Sequence, residues 1–275
     1  MNAITPNPEK NEPERNPKRT TALTPVLPPV LAVRLGRGRL GGSTVCDHII
    51  QRGRRAGRAV MVADGDRRNP TLAGLYPPGQ PGGASVPLSD DMADMKDWIT
   101  EQVGQMVMNR ASMVLDLGGG DRVLSDYGQD LPLSDFCAAS GVDCLPLYFS
   151  GPEKDDFDHI VAIQKAKYFF AAKGILFLNE NLVRSGKTPA GAFDDILKRP
   201  ELDEMFSNGV KLVFIPRLPC MTELRASELS FYEAAGNKPG KSGKPMDPVR
   251  QFMVKTWIDR LESQFVESGI TDWLP

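Results

Sequence analysis

Residues 30–44 read VLAVRLGRGRLGGST. The apolar run from Val30 to Leu35 has the length of a short buried strand. The glycine-rich segment 36–44 breaks it, and a helical pattern follows to about Arg55, closed by Gly57. Arg58 to Ala63 (RAVMVA) then reads as a second buried strand, ended by Asp64-Gly65-Asp66. Strand, glycine loop, helix and strand within about 35 residues is the layout of a βαβ unit with a parallel sheet.

Outward from that unit the alternation continues. Residues 74–87 carry four prolines and four glycines and read as a surface loop. A helix follows from Ser89, with Met95, Trp98, Ile99, Val103, Met106 and Val107 on one apolar face. Further strands are expected over 111–117, 143–149, 174–178 and 210–215, with helices near 155–172, 189–198 and 221–235. A last helix spans about 248–267, where Val249, Met253, Trp257, Leu261 and Phe265 form a row for docking on the body. Six strands alternating with helices predict an α/β fold, a doubly wound, mostly parallel sheet with helices on both faces. Residues 1–29 hold seven of the 23 prolines and few aliphatics, which predicts a disordered tail before a domain over 30–275.

Composition narrows the function. The chain has 275 residues, 41% of them hydrophobic, with no apolar run of membrane-spanning length and no signal-peptide core, so a cytoplasmic location without membrane contact is expected. Residues 1–70 hold 13 Lys/Arg against 6 Asp/Glu, and the remainder 20 against 29. That imbalance points to a basic site for an anion or a basic surface for nucleic acid. Cys46, Cys137, Cys144 and Cys220 match no zinc spacing and read as reduced, buried residues. His48 and His159 are the two histidines, and no G-x-S-x-G elbow accompanies them.

In an open parallel sheet, ligands bind beyond the carboxyl ends of the strands. Four notable segments fall there: GRGRLGGST, DGD, LDLGGGD and LNEN. The first follows the phosphate-loop frame G-x-x-x-x-G-K-[ST] without its lysine: Gly36 and Gly41 hold the glycine positions, Gly42 replaces lysine, and Ser43 and Thr44 follow. Backbone N–H groups and the helix N-terminus can cradle phosphate there, while the bridging charge is lost. A plain glycine turn into a helix capped by Ser43 is the other reading. Asp64 and Asp66 are spaced to position a metal-bound or attacking water, and Asp116 to hold Mg²⁺. Each also fits a turn or capping acid.

Together these segments resemble the ParA/MinD family of deviant Walker-A P-loop ATPases, over about residues 30–235. Within it, GPEKDDFDH, LFLNENLVRSG and VFIPRLP look like the plasmid stability and conjugal transfer branch, the TraL- or StbB-like proteins. The resemblance implies ATP and Mg²⁺ as cofactors and a face-to-face homodimer. It sets Arg37 on the signature lysine that crosses to the partner's phosphates, Arg39 on a glycine, Leu40 on the valine, Gly41 on the invariant glycine and Gly42 on the second lysine. Gly36, Gly38 and Thr44 complete the loop. Ser43, Asp64 and Asp116 become the metal-site residues, and Asp66 the residue that orients water. Asn179, Pro216 and Arg217 fall beside the adenine. The implied function is an ATP-switched dimer in plasmid or DNA partition, stability or transfer, with hydrolysis weakened because Gly42 replaces the lysine.

Three alternatives stand beside it. A pseudo-ATPase would keep the fold and act through an unidentified protein partner. A dehydrogenase would use Gly36, Gly38 and Gly41 as G-x-G-x-x-G, although Asp64 and Asp66 come late for its ribose acid. A membrane regulator would want a basic amphipathic end, which ITDWLP does not supply. Non-specific DNA binding would fall to Lys238, Lys241 and Lys244, with Arg250 and Lys255 nearby.

Overall fold

The strands run side by side in the order β3-β2-β4-β1-β5-β6-β7, every neighbouring pair parallel. This computed structural model describes residues 27–119, 121–167, 169 and 171–275, without the side chain of Asp121. The expected tail therefore lies almost wholly outside the described residues. In chain order the elements are β1 (Val30–Leu35), α1 (Gly42–Arg55), β2 (Val60–Asp64), α2 (Thr71–Leu75), β3 (Ala84–Ser85) and α3 (Met92–Asn109). There follow β4 (Ser112–Asp116), α4 (Asp121–Asp130), α5 (Leu133–Ala139), β5 (Asp143–Ser150), α6 (Lys154–Ala166) and β6 (Gly174–Asn179). The chain ends with α7 (Pro189–Leu197), α8 (Pro200–Ser207), β7 (Val210–Ile215), α9 (Met221–Ser227), α10 (Phe231–Ala235) and α11 (Pro248–Glu267).

The doubly wound α/β expectation holds. β1 and β6 are buried at every position, as strands covered on both faces must be. One core joins α1, α2 and α9–α11 to one face of the sheet, and a second joins α3–α8 to the other. Proline opens α7, α8 and α11, where its missing N–H costs no helical hydrogen bond. The connection leaving β1 leads to β2 on one side, and that leaving β5 leads to β6 on the other. The crevice between those two connections is where such sheets take ligands.

Several boundaries differ from the sequence reading. A seventh strand, Ala84–Ser85, lies inside the presumed loop 74–87 and is too short to show a period, pairing only as Val62↔Ala84 and Ala63↔Ser85. The helix expected to reach 172 stops at Ala166, where Lys167 turns left-handed. The helix expected over 221–235 breaks at Glu228, also left-handed, and restarts from a capping box between Ser230 and Glu233. In the α11 row, Trp257, Leu261 and Phe265 are buried, but Val249 is 64% exposed because the first turn overhangs the body. All four cysteines are free and buried.

Candidate functional site

Register sets three charged residues in one row at the carboxyl ends of the central strands: Arg34 on β1 opposite Asp116 on β4, and Asp116 opposite Asp64 on β2. All three side chains are buried, Arg34 at 3% exposure. Buried charges persist only when neighbours compensate them. Asp116 does part of this, with an Oδ1 lying 3.9 Å from Arg34 Nε. Its Oδ1 also accepts the Gly118 N–H at 2.8 Å, and its Oδ2 accepts the Ser43 hydroxyl at 2.5 Å.

Ser43 is therefore not a helix cap. The N-cap of α1 is Gly41, which lies in the left-handed region at φ 89°. A Cβ at Gly41 would also stand 2.4 Å from Asn179 Nδ2. Residue 41 is thus glycine for both conformation and space. Gly42 is glycine for space alone, since its Cβ would stand 2.3 Å from Arg34 Nε and 2.9 Å from Arg34 Cγ. The first turn of α1 carries no acid, and its last turn carries Arg52, Arg54 and Arg55. Its N-terminus therefore presents a positive dipole end toward the loop, with the Asp116 carboxylate on the Ser43 hydroxyl as a negative charge beside it.

On β2 the two aspartates divide. Asp64 accepts N–H groups with both oxygens, from Asp66 at 3.1 Å and Ala73 at 2.8 Å, and so shapes the turn after the strand. Burial, helped by the nearby Asp116 charge, pushes its carboxyl up to about 6. Asp66 accepts the Asn69 N–H at 3.0 Å and faces the cleft.

That cleft measures about 1100 Å³. Arg34, Gly38, Arg39, Gly41, Gly42, Ser43 and Thr44 line one side of it, and Asp66, Arg68 and Asn69 another. The opposing wall is Met221, Leu224, Leu229 and Phe231, with Arg225 and Glu228. Apolar on one side and rich in N–H donors on the other, it suits a ligand with a flat apolar part and an anionic chain. Asp47 also reaches it from α1. Burial raises Asp47 to about 6, and its Oδ1 accepts the Tyr76 hydroxyl at 2.5 Å.

The remaining sequence-derived residues are placed as follows. Gly36 and Leu40 are buried in the loop, with Leu40 in the α1-side core. Asn179 braces the loop from below, donating to the Leu40 carbonyl at 2.8 Å and accepting the Asn181 N–H at 3.0 Å. Pro216 gives its carbonyl to Asn181 and Trp257, and Arg217 is exposed; neither borders the cleft. Arg37 is half exposed and points away, 3.4 Å from Asp156 on α6. Lys238 pairs with Glu233, Lys241 with Glu228, and Arg250 with Asp247 and Glu223. Much of the positive charge of that loop is therefore compensated locally.

Sequence reading missed Arg34, Asp47 and the apolar wall. Arg34 was visible as the one charge inside an apolar strand. The other two show only once α1, α9 and α10 are packed.

Among the described residues no cluster of three or more His, Cys, Asp or Glu is placed to hold a metal ion unaided. Ser43 Oγ and Asp116 offer a partial site, which fits a cation such as Mg²⁺ that shares its shell with waters and phosphate oxygens.

No known protein family matches the sequence, and no curated protein does. Solved structures do resemble the fold. The MinD cell division protein of Aquifex aeolicus is 13% identical, with 86% of this chain and 97% of that one covered and a TM-score of 0.46. Chloroplast FtsY of Physcomitrella patens is 15% identical at a TM-score of 0.44; the match covers 87% of this chain but spans only 66% of FtsY. A nucleotide-binding protein in complex with ADP from Archaeoglobus fulgidus is 13% identical, with 89% of both chains covered and a TM-score of 0.36.

Proposed function

We propose that the cleft beside the β1–α1 loop binds ATP, and that the protein is a nucleotide-binding switch of the ParA/MinD kind. The observation that carries this is the Ser43–Asp116 hydrogen bond at the N-terminus of α1: a hydroxyl from the first turn of that helix and a carboxylate from the end of β4 meet where the dipole and the loop N–H groups favour an anion. The phosphate chain lies along residues 38–44, and the base meets Met221, Leu224, Leu229 and Phe231. Ser43 and Asp116 hold Mg²⁺, which offsets phosphate charge when bound. Asp64 fixes the turn that presents Asp66, and Asp66 holds the proton-accepting position for an attacking water.

In this reading ATP favours a homodimer, and the cytoplasmic dimer serves DNA or plasmid partition, stability or transfer. Arg37 must leave Asp156 to reach a partner's phosphates. Turnover is slow, since Gly42 brings no charge to the phosphates. A second reading, binding without turnover, is favoured by that same absent side chain. No helix among the described residues is long and apolar enough to cross a membrane. Steady-state phosphate release and sedimentation of the full chain, with and without Mg·ATP, test the switch. Slow release with nucleotide-dependent dimerisation supports the first reading, and tight binding with no release supports the second. Absence of both binding and release removes the two together. A gel shift on random DNA at about 50 and 200 mM salt tests the lysine loop, where a salt-sensitive shift is the expected mark of phosphate contacts.

A further inference from the structure

Arg34 is a buried cation with bonding capacity to spare. An arginine carries five N–H donors. Among the described residues, Arg34 makes one side-chain hydrogen bond, from Nη2 to the Arg37 carbonyl at 2.5 Å. Nε and Nη1 are buried with no hydrogen-bond partner among the described residues. The nearest carboxylate oxygen, Oδ1 of Asp116, stands 3.9 Å from Nε, beyond hydrogen-bond reach, and already accepts from Gly118. Buried polar atoms are nearly always paired, so open donors at the floor of a cleft mark the place for an acceptor from outside the chain.

The guanidinium occupies a defined place. It touches the start of the glycine loop at the Arg37 carbonyl and the end of the loop at Gly42, where any Cβ would overlap its Nε at 2.3 Å. It borders the cleft together with Gly38, Gly41 and Ser43. In phosphate loops of the frame G-x-x-x-x-G-K-[ST], the residue at the Gly42 position sends its ammonium into the same concavity. Here that residue has no side chain, and a cation from the strand beneath fills the space.

We infer that Arg34 supplies the phosphate-binding cation of this cleft from β1, and that Gly42 is glycine because the arginine lies where its side chain would go. The ligand class is the pyrophosphate-containing chain of a nucleoside di- or triphosphate, an acceptor with oxygens enough for Nε and Nη1. This rests on the reading of the cleft as a nucleotide site and goes beyond it, since it locates the missing charge. It also bears on Gly42→Lys: with Arg34 in place the lysine collides with the guanidinium and cannot simply restore the frame.

The test is calorimetric titration of the full chain with Mg·ADP, Mg·ATP and inorganic pyrophosphate, for wild type, Arg34→Met, Arg34→Lys, Gly42→Ala, Gly42→Lys and the double exchange Arg34→Met/Gly42→Lys. Melting of each ligand-free protein reports folding. Arg34→Met and Gly42→Lys are each expected to weaken Mg·ADP at least tenfold. The double exchange is expected to return to within about threefold of wild type, a rescue that a merely structural arginine would not give. Gly42→Ala displaces the guanidinium while keeping Arg34 and is expected to weaken binding. Arg34→Lys is expected to fall between wild type and Arg34→Met. If Arg34→Met does not fold, Gly42→Ala and Arg34→Lys decide, and unchanged affinity in both overturns the assignment. Equal or tighter binding by Arg34→Met also overturns it, showing that Arg34 obstructs the cleft. A wild type that binds nothing beside an Arg34→Met that binds leaves the nucleotide cleft standing and overturns only the arginine's role. No binding by any variant overturns both.

Discussion

The two halves of the sheet end differently. Beyond β6 and β7 the polar groups close on one another. Asn179 donates to Leu40 and accepts from Asn181, and Asn181 donates to the Pro216 carbonyl at 3.2 Å and accepts from Leu218 at 3.0 Å. Trp257 Nε1 donates to that same carbonyl at 2.7 Å, while its ring stacks on Phe231 at 4.2 Å. Beyond β1, β2 and β4 the groups stay open: Arg34 keeps nitrogens without a hydrogen-bond partner among the described residues, Asp66 faces the cleft, and Ser43 meets Asp116 at the cleft's edge. A satisfied network holds structure, whereas leftover bonding capacity in a concave place holds ligand. Both ends share the strand geometry, so the contrast lies in the residues.

Substitutions on the closed side should act on folding. Trp257→Ala removes a fully buried ring and leaves the Pro216 carbonyl one donor short, and is expected to cost about 3–5 kcal/mol in denaturant unfolding. A loss under about 1 kcal/mol would break the comparison from this side.

Asp64 belongs to the open side yet is spent on structure, and pH separates the two roles. Its folded value near 6 lies above its ordinary 3.8, so the folded state binds the extra proton between those values. Its contribution is therefore fully present below about 3.8 and lost as pH rises through about 6. Relative to Asp64→Asn, the wild type is expected to lose about 2 kcal/mol of stability between pH 4 and 6. Parallel melting curves for the two across that window would sink the assignment.

Asn181→Ala, which opens two hydrogen bonds of the closed network, is expected to cost about 1–3 kcal/mol and to leave Mg·ADP affinity unchanged. A fall in affinity without a fall in stability would place this residue in the binding site. The smallest effect belongs to the lysine loop: breaking the exposed Lys241–Glu228 pair by Lys241→Ala is expected to leave the melting temperature unchanged.

How much of this the sequence shows depends on the kind of signal. The β1 run with its glycine loop is local and periodic, and so are Asp64, Asp66 and Asp116 at strand ends; all lie where such patterns place them. The β3 strand has two paired positions and cannot show a period. The break at Glu228 follows from a left-handed residue and a cap that restarts the helix, inside one continuous apolar pattern. Arg34 hides within a strand because periodicity counts it as one exception among apolar neighbours. Its meaning comes from Gly42, eight positions later, whose missing side chain leaves it room. Likewise Arg37 could be set on a loop position by its order, but its pairing with Asp156 joins residues 119 apart.

Whether the open end of the sheet is a nucleotide-phosphate site built on Ser43 and Asp116 is tested most directly by calorimetric titration of the full chain with ATP, with and without Mg²⁺, for wild type and Ser43→Ala. Wild type is expected to bind one nucleotide per chain saturably and more tightly with Mg²⁺, and Ser43→Ala to lose that strengthening with little change in melting temperature. Wild type that binds no nucleotide, or binds equally with and without Mg²⁺ in both proteins, would contradict it.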